Sequence, residues 1–419
     1  MQSKPTTYNT TLPLSEPEPV EDPDYPDGGW QAWSVVVGSW CALLPTFGVM
    51  NITGILEAWL SKHQLQEYSE ASVSWIFSIW YFLFYIGGVQ VGPIYDTHGA
   101  KYTLLPGCIG FSVSMMMLSI SHEYYQFILG YSILGGLSAS AILTPALGTI
   151  NHWFLRRRGL ATGIASTAGG LGGIMFTSIF GKLLDQVGFP WAVRCLGFIF
   201  LACFVPAVLL LKTRLAPVKG SSVIDLQALM EVDFVLTALA ISLAELALMV
   251  VITYLPLYAT AHGVTKSLSY HLMTIFSACS IPGRIIPGFM SDHVGTFNTM
   301  VLCSCICTIL ILGLWLNADS QTAIICFTAF FGFWAGPAIS LSPVCVARIS
   351  KTEEYGVRYG TATLVMGLGL LVGIPVAGEI LKAGGFGGLI GFGGGVYGAS
   401  VLLFGLSRGV AGGWGWVSF

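Results

Sequence analysis

Charge is what this chain has least of. Asp, Glu, Lys and Arg make up 9% of its 419 residues, against 54% apolar residues and a mean hydropathy of +0.75. So little charge cannot cover a soluble surface, which excludes a soluble enzyme or an aqueous scaffold and makes this a membrane protein. A basic tail is missing too: 18 Lys and Arg stand against 21 Asp and Glu, a formal net charge of -3 that offers no electrostatic footprint for nucleic acid.

Catalytic clustering is also absent. The seven histidines, at 63, 98, 122, 152, 262, 271 and 293, are scattered, so the chain does not read as an enzyme. Gly169, Gly170, Gly172 and Gly173 are followed by no Lys-Ser/Thr, which argues against a phosphate loop and for close helix packing. All ten cysteines fall inside apolar runs. Cys303, Cys305 and Cys307 alternate onto different helix faces with no His near, so they read as packed thiols, and neither a metal nor a cofactor is expected. Residues 1–29 hold six prolines and six carboxylates against the single basic Lys4, with no apolar core of the signal-peptide kind, and are expected to form a disordered acidic tail.

What remains is long apolar runs. At about 20 residues per crossing, twelve can be counted, near 31–58, 71–94, 102–121, 124–150, 159–180, 190–211, 233–258, 268–290, 297–317, 320–349, 359–382 and 387–407. Lipid offers backbone groups no water, and these runs far exceed barrel strands, so they are helices and the expected fold class is an all-α membrane protein with twelve transmembrane helices.

A repeated frame orders those helices. Gly92, Asp96 and Gly99 share their spacing with Gly181, Asp185, Gly188 and with Gly288, Asp292, Gly295, so three of nine Asp occupy it. A fourth copy, Gly378, Lys382, Gly385, has Lys for Asp. Each copy closes an apolar run, where glycine permits close helix approach and a carboxylate can bond free backbone donors at a neighbouring helix start. The chain therefore divides into a tail (1–29), a six-helix half (30–211), a linker (212–232), a second six-helix half (233–408) and a short tail (409–419), with inverted three-helix repeats nested in each half. Pro145 echoes Pro343, and Gly159 echoes Gly360.

Lysines and arginines assign the sides. With the N-terminus inside, Lys4, Lys101, Arg156, Arg157, Arg158, Lys212, Arg214, Lys219, Arg348, Lys351, Arg358 and Arg408 are internal, and Lys62, Lys182, Arg194, Lys266 and Lys382 external. That excess places both termini in the cytoplasm, leaves the Asn9-Thr10-Thr11 sequon unglycosylated, and puts Asp96 and Asp292 on the cytoplasmic side.

Twelve helices in two halves, with this frame between helices two and three and between eight and nine, resemble the major facilitator superfamily over about 30–410. Two stretches are similar to its monocarboxylate porter family: Asp27, Gly28, Gly29, Trp30, Gln31, Ala32, Trp33, with a tryptophan spacing of the fungal type, and Trp153, Phe154, Arg156, Arg157, Arg158, Leu160, Ala161, Gly163, Ala165, Gly172. The resemblance implies movement of a small organic anion, often with a proton. It implies a substrate-binding role for Arg284, four residues before Gly288. Where animal members carry an acidic residue one turn earlier this chain has Ser280, and where they carry a binding lysine in helix one it has Asn51, so a larger or neutral metabolite is admissible. Helix ten lines the cavity in this superfamily, which implies Trp334 as a stacking surface.

Two buried charges stand out from the residues themselves. Arg284 lies in a window from Leu272 to Met290 with no other charge, at an insertion cost on the order of 3 kcal/mol, and its fork suits a carboxylate. Glu245 lies roughly twelve residues into helix seven, near mid-membrane, and is the candidate for a coupled proton. Asp96 and Asp292 are placed to gate, with Arg156, Arg157 and Arg158 as partners in the first half. The aromatic side of helix two, Trp75 to Tyr85, reads as core packing. The expected function is a secondary carrier working by alternating access, with its site between helices one, four, seven, eight and ten. Its partners are then a small-molecule substrate, H+ where coupled, and the lipid bilayer, in a monomeric unit of the plasma membrane. An exporter of a secondary metabolite or drug-like compound, and a non-transporting membrane sensor, are the alternatives.

Overall fold

The computed structural model describes residues 25–215, 225 and 227–413. Lys4, the sequon at Asn9, Lys219 and most of both tails lie outside them. Among the described residues ten continuous helices are long and apolar enough to cross a membrane. Two of these, Arg158–Leu210 and Tyr355–Gly412, run to 53 and 58 residues. At 1.5 Å per residue a straight helix of that length would span roughly 80 Å, far beyond a hydrocarbon core of about 30 Å. Each turns back at one glycine instead: Gly188 at φ 74°, ψ 169°, and Gly385 at φ 63°, ψ -165°. Both are the last glycine of the repeated frame, and only glycine takes such angles without strain.

Twelve crossings result: α1 Gly29–Lys62, α2 Glu70–His98, α3 Ala100–Ile120, α4 Tyr124–Asn151, α5 158–187, α6 189–210, α7 Val232–Ala261, α8 Lys266–Val294, α9 Thr296–Trp315, α10 Gln321–Arg348, α11 355–384 and α12 386–412. Connections on one face are short and capped. Ser69 accepts from the Ser72 N–H at the start of α2, Ser320 from Ala323 at the start of α10, and Glu123 and Gln126 form a capping box at α4.

The halves meet through glycine at the other face. Gly88 and Gly92 of α2 lie on Gly360 and Gly356 of α11, while Gly159 and Gly163 of α5 lie on Gly288 and the Arg284 carbonyl of α8. A Cβ at Gly288 would sit 2.7 Å from the Gly159 carbonyl oxygen, so these crossings exist only because side chains are absent. The internal symmetry thus pairs Gly159 with Gly356, four residues before the Gly360 suggested by sequence spacing. Both ends of the described chain lie on this same face. Asp27 bonds the α4–α5 loop, and Ser407 of α12 shares a 2.7 Å hydroxyl contact with Thr237 at the start of α7.

Candidate functional site

Between the halves lies a cavity to which both contribute. Its wall comes from α1 (Phe47, Met50, Asn51), α2 (Tyr81, Phe84, Tyr85), α4 (Leu143, Leu147) and α5 (Ser166, Gly169, Gly170) of the first half. The second half adds α7 (Glu245, Met249, Ile252), α8 (Phe276, Ser277, Ser280, Arg284), α10 (Ile339, Ser342) and α11 (Tyr359, Met366). The sequence pointed to α1, α4, α7, α8 and α10. The structure adds α2, α5 and α11, which together with α8 carry the cross-half glycine contacts.

Arg284 and Glu245 share this cavity, with side chains left only 4% and 3% exposed. Arg284 Nη1 donates to the Ser166 carbonyl of α5, across the interface between halves. Among the described residues its Nε has no hydrogen-bond partner, and neither has Glu245 Oε2. No direct ion pair joins the two side chains, although both line the cavity. The fit of Arg284 depends on Gly169, because a Cβ there would lie 2.6 Å from Nη1. The glycine run read as helix packing is that, and it is also the seat of the guanidinium. Asn51 and Ser280 both reach the wall. Their polar atoms are engaged: Asn51 Nδ2 donates to Phe47 O at 2.6 Å and Gly169 O at 3.3 Å, and Ser280 Oγ donates to Ser277 O at 2.8 Å.

Trp334 stands apart from the other expected residues. It is absent from the cavity wall and packs edge-to-face on Phe333 at 5.1 Å. Helix geometry explains this: at about 100° per residue, Trp334 is turned roughly 140° from Ile339, which does reach the cavity. The aromatic side of α2 was read as core alone, and Tyr81, Phe84 and Tyr85 line the site. The signal available was the hydroxyl of Tyr81 and Tyr85, a polar tip that seeks a polar neighbour.

Asp96 and Asp292 hold the two halves together at the face away from the capped loops. Asp96, 7% exposed, accepts from the backbone N–H of Gly356 at 2.9 Å and Val357 at 2.8 Å, the start of α11. Asp292 accepts from Gly159 at 2.7 Å and Leu160 at 3.0 Å, the start of α5. Each carboxylate thus caps a helix of the opposite half, where free donors and the positive end of the helix dipole favour it. The arginines expected as partners of Asp96 are elsewhere. Arg156 and Arg157 are exposed, and Arg158 is buried with its guanidinium donating to the carbonyls of Phe154, Asn151 and, across the halves, Ala347. The other two copies of the frame make no such clasp: Asp185 is exposed, and Lys382 pairs with Glu379 on its own helix at 2.6 Å.

Asp27 was singled out only as part of a signature. Its Oδ1 accepts the backbone N–H of Leu155, Arg156 and Arg157, and its own N–H donates to Trp153 O at 3.1 Å. The two signature stretches are therefore one structural unit, sealed by Trp33 against Phe154 at 5.2 Å. Next to it, His152 accepts from Leu215 N–H at Nδ1 and meets Tyr95 Oη at Nε2, 3.1 Å away. Burial, with Arg158 and Arg214 nearby, pushes its imidazole down to about 4.

The family model described as Major Facilitator Superfamily matches residues 38–316 and 237–413. The chain belongs to the major facilitator superfamily. This superfamily member is 34% identical to the aspyridones efflux protein apdF of Emericella nidulans, over 93% of its own length and 79% of that protein. It is 31% identical to the riboflavin transporter MCH5 of Saccharomyces cerevisiae, over 91% and 79%. The human organic anion transporter MFSD10 (TETRAN) shares the fold at a TM-score of 0.72 and 14% identity, over 90% of this chain and 100% of that one. The chain is thus a multi-pass membrane protein of a transporter superfamily.

Proposed function

We propose that the protein is a secondary carrier that moves an organic anion across the membrane by alternating access, with Arg284 as the anion site. The single observation behind this reading is Arg284, 4% exposed, with an Nε that no described residue bonds, in the wall of a cavity between the halves. A buried charge is costly in a membrane and is kept there for an ion or substrate path. Its planar fork matches an acidic oxygen pair.

The lining favours a substrate with an aromatic body, because Phe47, Tyr81, Phe84, Tyr85, Phe276 and Tyr359 stand in the wall. Asn51 and Ser280, in place of the charged residues of animal monocarboxylate porters, leave Arg284 without a carboxylate partner one turn away. Export of a secondary metabolite is the direction this favours, in line with the similarity to the aspyridones efflux protein. The monocarboxylate porter resemblance is retained as a proposal about ancestry, supported by the contact between its two signature stretches. Glu245, with its unpartnered Oε2, serves as the proton site.

The clasps at Asp96 and Asp292 belong to the state shut on their side. Releasing both helix starts would open that face, while the frames at Asp185 and Lys382 flank the opening opposite. We assign the clasped face to the cytoplasm, the unit to a monomer and the site to the plasma membrane. Uptake of a labelled panel of organic acids into proteoliposomes, with and without an imposed proton gradient, tests the reading. Saturable uptake of aromatic acids supports it, and a panel crossing no faster than through protein-free vesicles rejects it.

A further inference from the structure

Two charged side chains stand in the cavity wall, and each carries a wholly buried polar atom that no described residue bonds. Asn51 bonds two backbone carbonyls, Ser280 bonds Ser277 O, Ser342 bonds Ala338 O, and Ser166 O is taken by Arg284. Among the wholly buried polar atoms of the wall, the two that no described residue bonds are one donor, Arg284 Nε, and one acceptor, Glu245 Oε2, on residues more than nine-tenths buried. They stand on consecutive helices of one half, α8 and α7, and no ion pair joins them. Around them the wall is flat rings and thioethers, among them Phe47, Phe84, Phe276, Met50 and Met249. Rings prefer to stack or meet edge-on with other rings, and methionine adapts to whatever aromatic body lies on it.

We infer that the substrate is an amphoteric aromatic acid, which gives an acidic oxygen to Arg284 and a ring N–H to Glu245 at once. This rests on the carrier reading above and narrows its substrate class. A simple monoanion would answer Arg284 and leave the carboxylate of Glu245 buried against an apolar ring. A simple cation would do the reverse. Either ligand strands one buried charge, and an unmatched buried polar group is what makes a site reject an analogue. A ligand with both functions satisfies both atoms, while its ring body fills the aromatic wall.

The test uses purified full-length protein and indole carboxylates with the acid at ring position 2, 3, 5 or 6, each paired with its N-methyl and its methyl-ester form. The four isomers vary the distance between acid and N–H, so no prior spacing is assumed. For at least one isomer, N-methylation should weaken binding to the wild type about tenfold or more, and esterification should do the same. The N-methyl gap should close to under about threefold in Glu245→Leu and shrink in Glu245→Gln, and the ester gap should shrink in Arg284→Lys. Thermal melting in detergent confirms which variants are folded, and Glu245→Gln carries the test if the leucine variant is not.

N-methylation without effect in every isomer, or a gap that survives intact in both Glu245 variants, overturns the inference, as does failure of all the probes to bind. The carrier reading is judged separately. Wild-type uptake of the acids with indifference to N-methylation leaves the carrier standing and removes only the amphoteric substrate.

Discussion

The Asp27 carboxylate accepts the Arg156 backbone N–H at 2.8 Å, tying the residue before α1 to the loop that opens α5. Asp27 does so at φ 48°, the one non-glycine residue with a positive φ among the described residues. Asp and Asn tolerate that region, and a three-donor carboxylate offsets the strain. Asp27→Asn should therefore cost little, because it keeps an acceptor and the backbone preference. Asp27→Ala should lose about 1–2 kcal/mol, the scale of a missing helix cap plus strain. Asp27→Gly separates the two causes, since it relieves strain and still lacks the acceptor. Thermal midpoints in detergent decide, and equal midpoints for all three variants would mean the contact is incidental.

Asp96 and Asp292 cap helix starts across the interface with both carboxylate oxygens. An asparagine keeps one acceptor and turns an N–H2 toward backbone donors. Asp96→Asn and Asp292→Asn should lower transport turnover about tenfold while equilibrium affinity stays within about threefold, the pattern of a gating contact. Lost affinity with normal turnover would mean that these residues touch substrate.

The twelve crossings and the repeated frame were legible because hydropathy and a fixed spacing of Gly and Asp are local signals. The partners of Asp96 were not, since Gly356 lies 260 residues away and a backbone N–H leaves no mark in sequence. Charge complementarity pointed to Arg156–Arg158, whereas a helix terminus supplies the same sign of field without a side chain. Arg284 and Glu245 were legible as charges in apolar helices. The rest of the wall was not: Gly169 and Ser166 contribute by an absent side chain and a carbonyl, and which face of α10 turns inward decided against Trp334.

His152 ties α4 to the start of the linker as a neutral imidazole, its value lowered from the ordinary 6.5 to about 4. A histidine kept neutral in the fold binds its proton in the unfolded chain first, so its stabilising effect is present above about 6.5 and is lost as pH falls toward 4. Between pH 7.5 and 5 this amounts to about 2 kcal/mol. Wild-type melting should drop across that window, and His152→Gln should flatten the drop. Parallel profiles for the two proteins would assign the acid sensitivity to other groups.

Both described ends lie on the clasped face, and the lysine and arginine count makes that face cytoplasmic. Epitope tags at residue 5 and after residue 419 should both be open to antibody in inside-out vesicles. Protection of either tag from protease in those vesicles would reverse the assignment.

The two buried charges make the most discriminating pair of variants. Arg284 Nη1 holds Ser166 O while its Nε is unpartnered, so the guanidinium can bond an incoming anion without first abandoning the opposite half. Lysine in its place keeps the charge and loses the fork, and Arg284→Lys should weaken binding of an anionic substrate about tenfold or more. Glu245 has a different task if it carries the proton. Glu245→Gln cannot load and unload, so accumulation driven by a pH gradient should vanish while substrate-for-substrate exchange persists. Normal gradient-driven transport in Glu245→Gln would move the proton site elsewhere. Unchanged affinity in Arg284→Lys would make that arginine a brace between α8 and α5, held there by Ser166 and seated by Gly169.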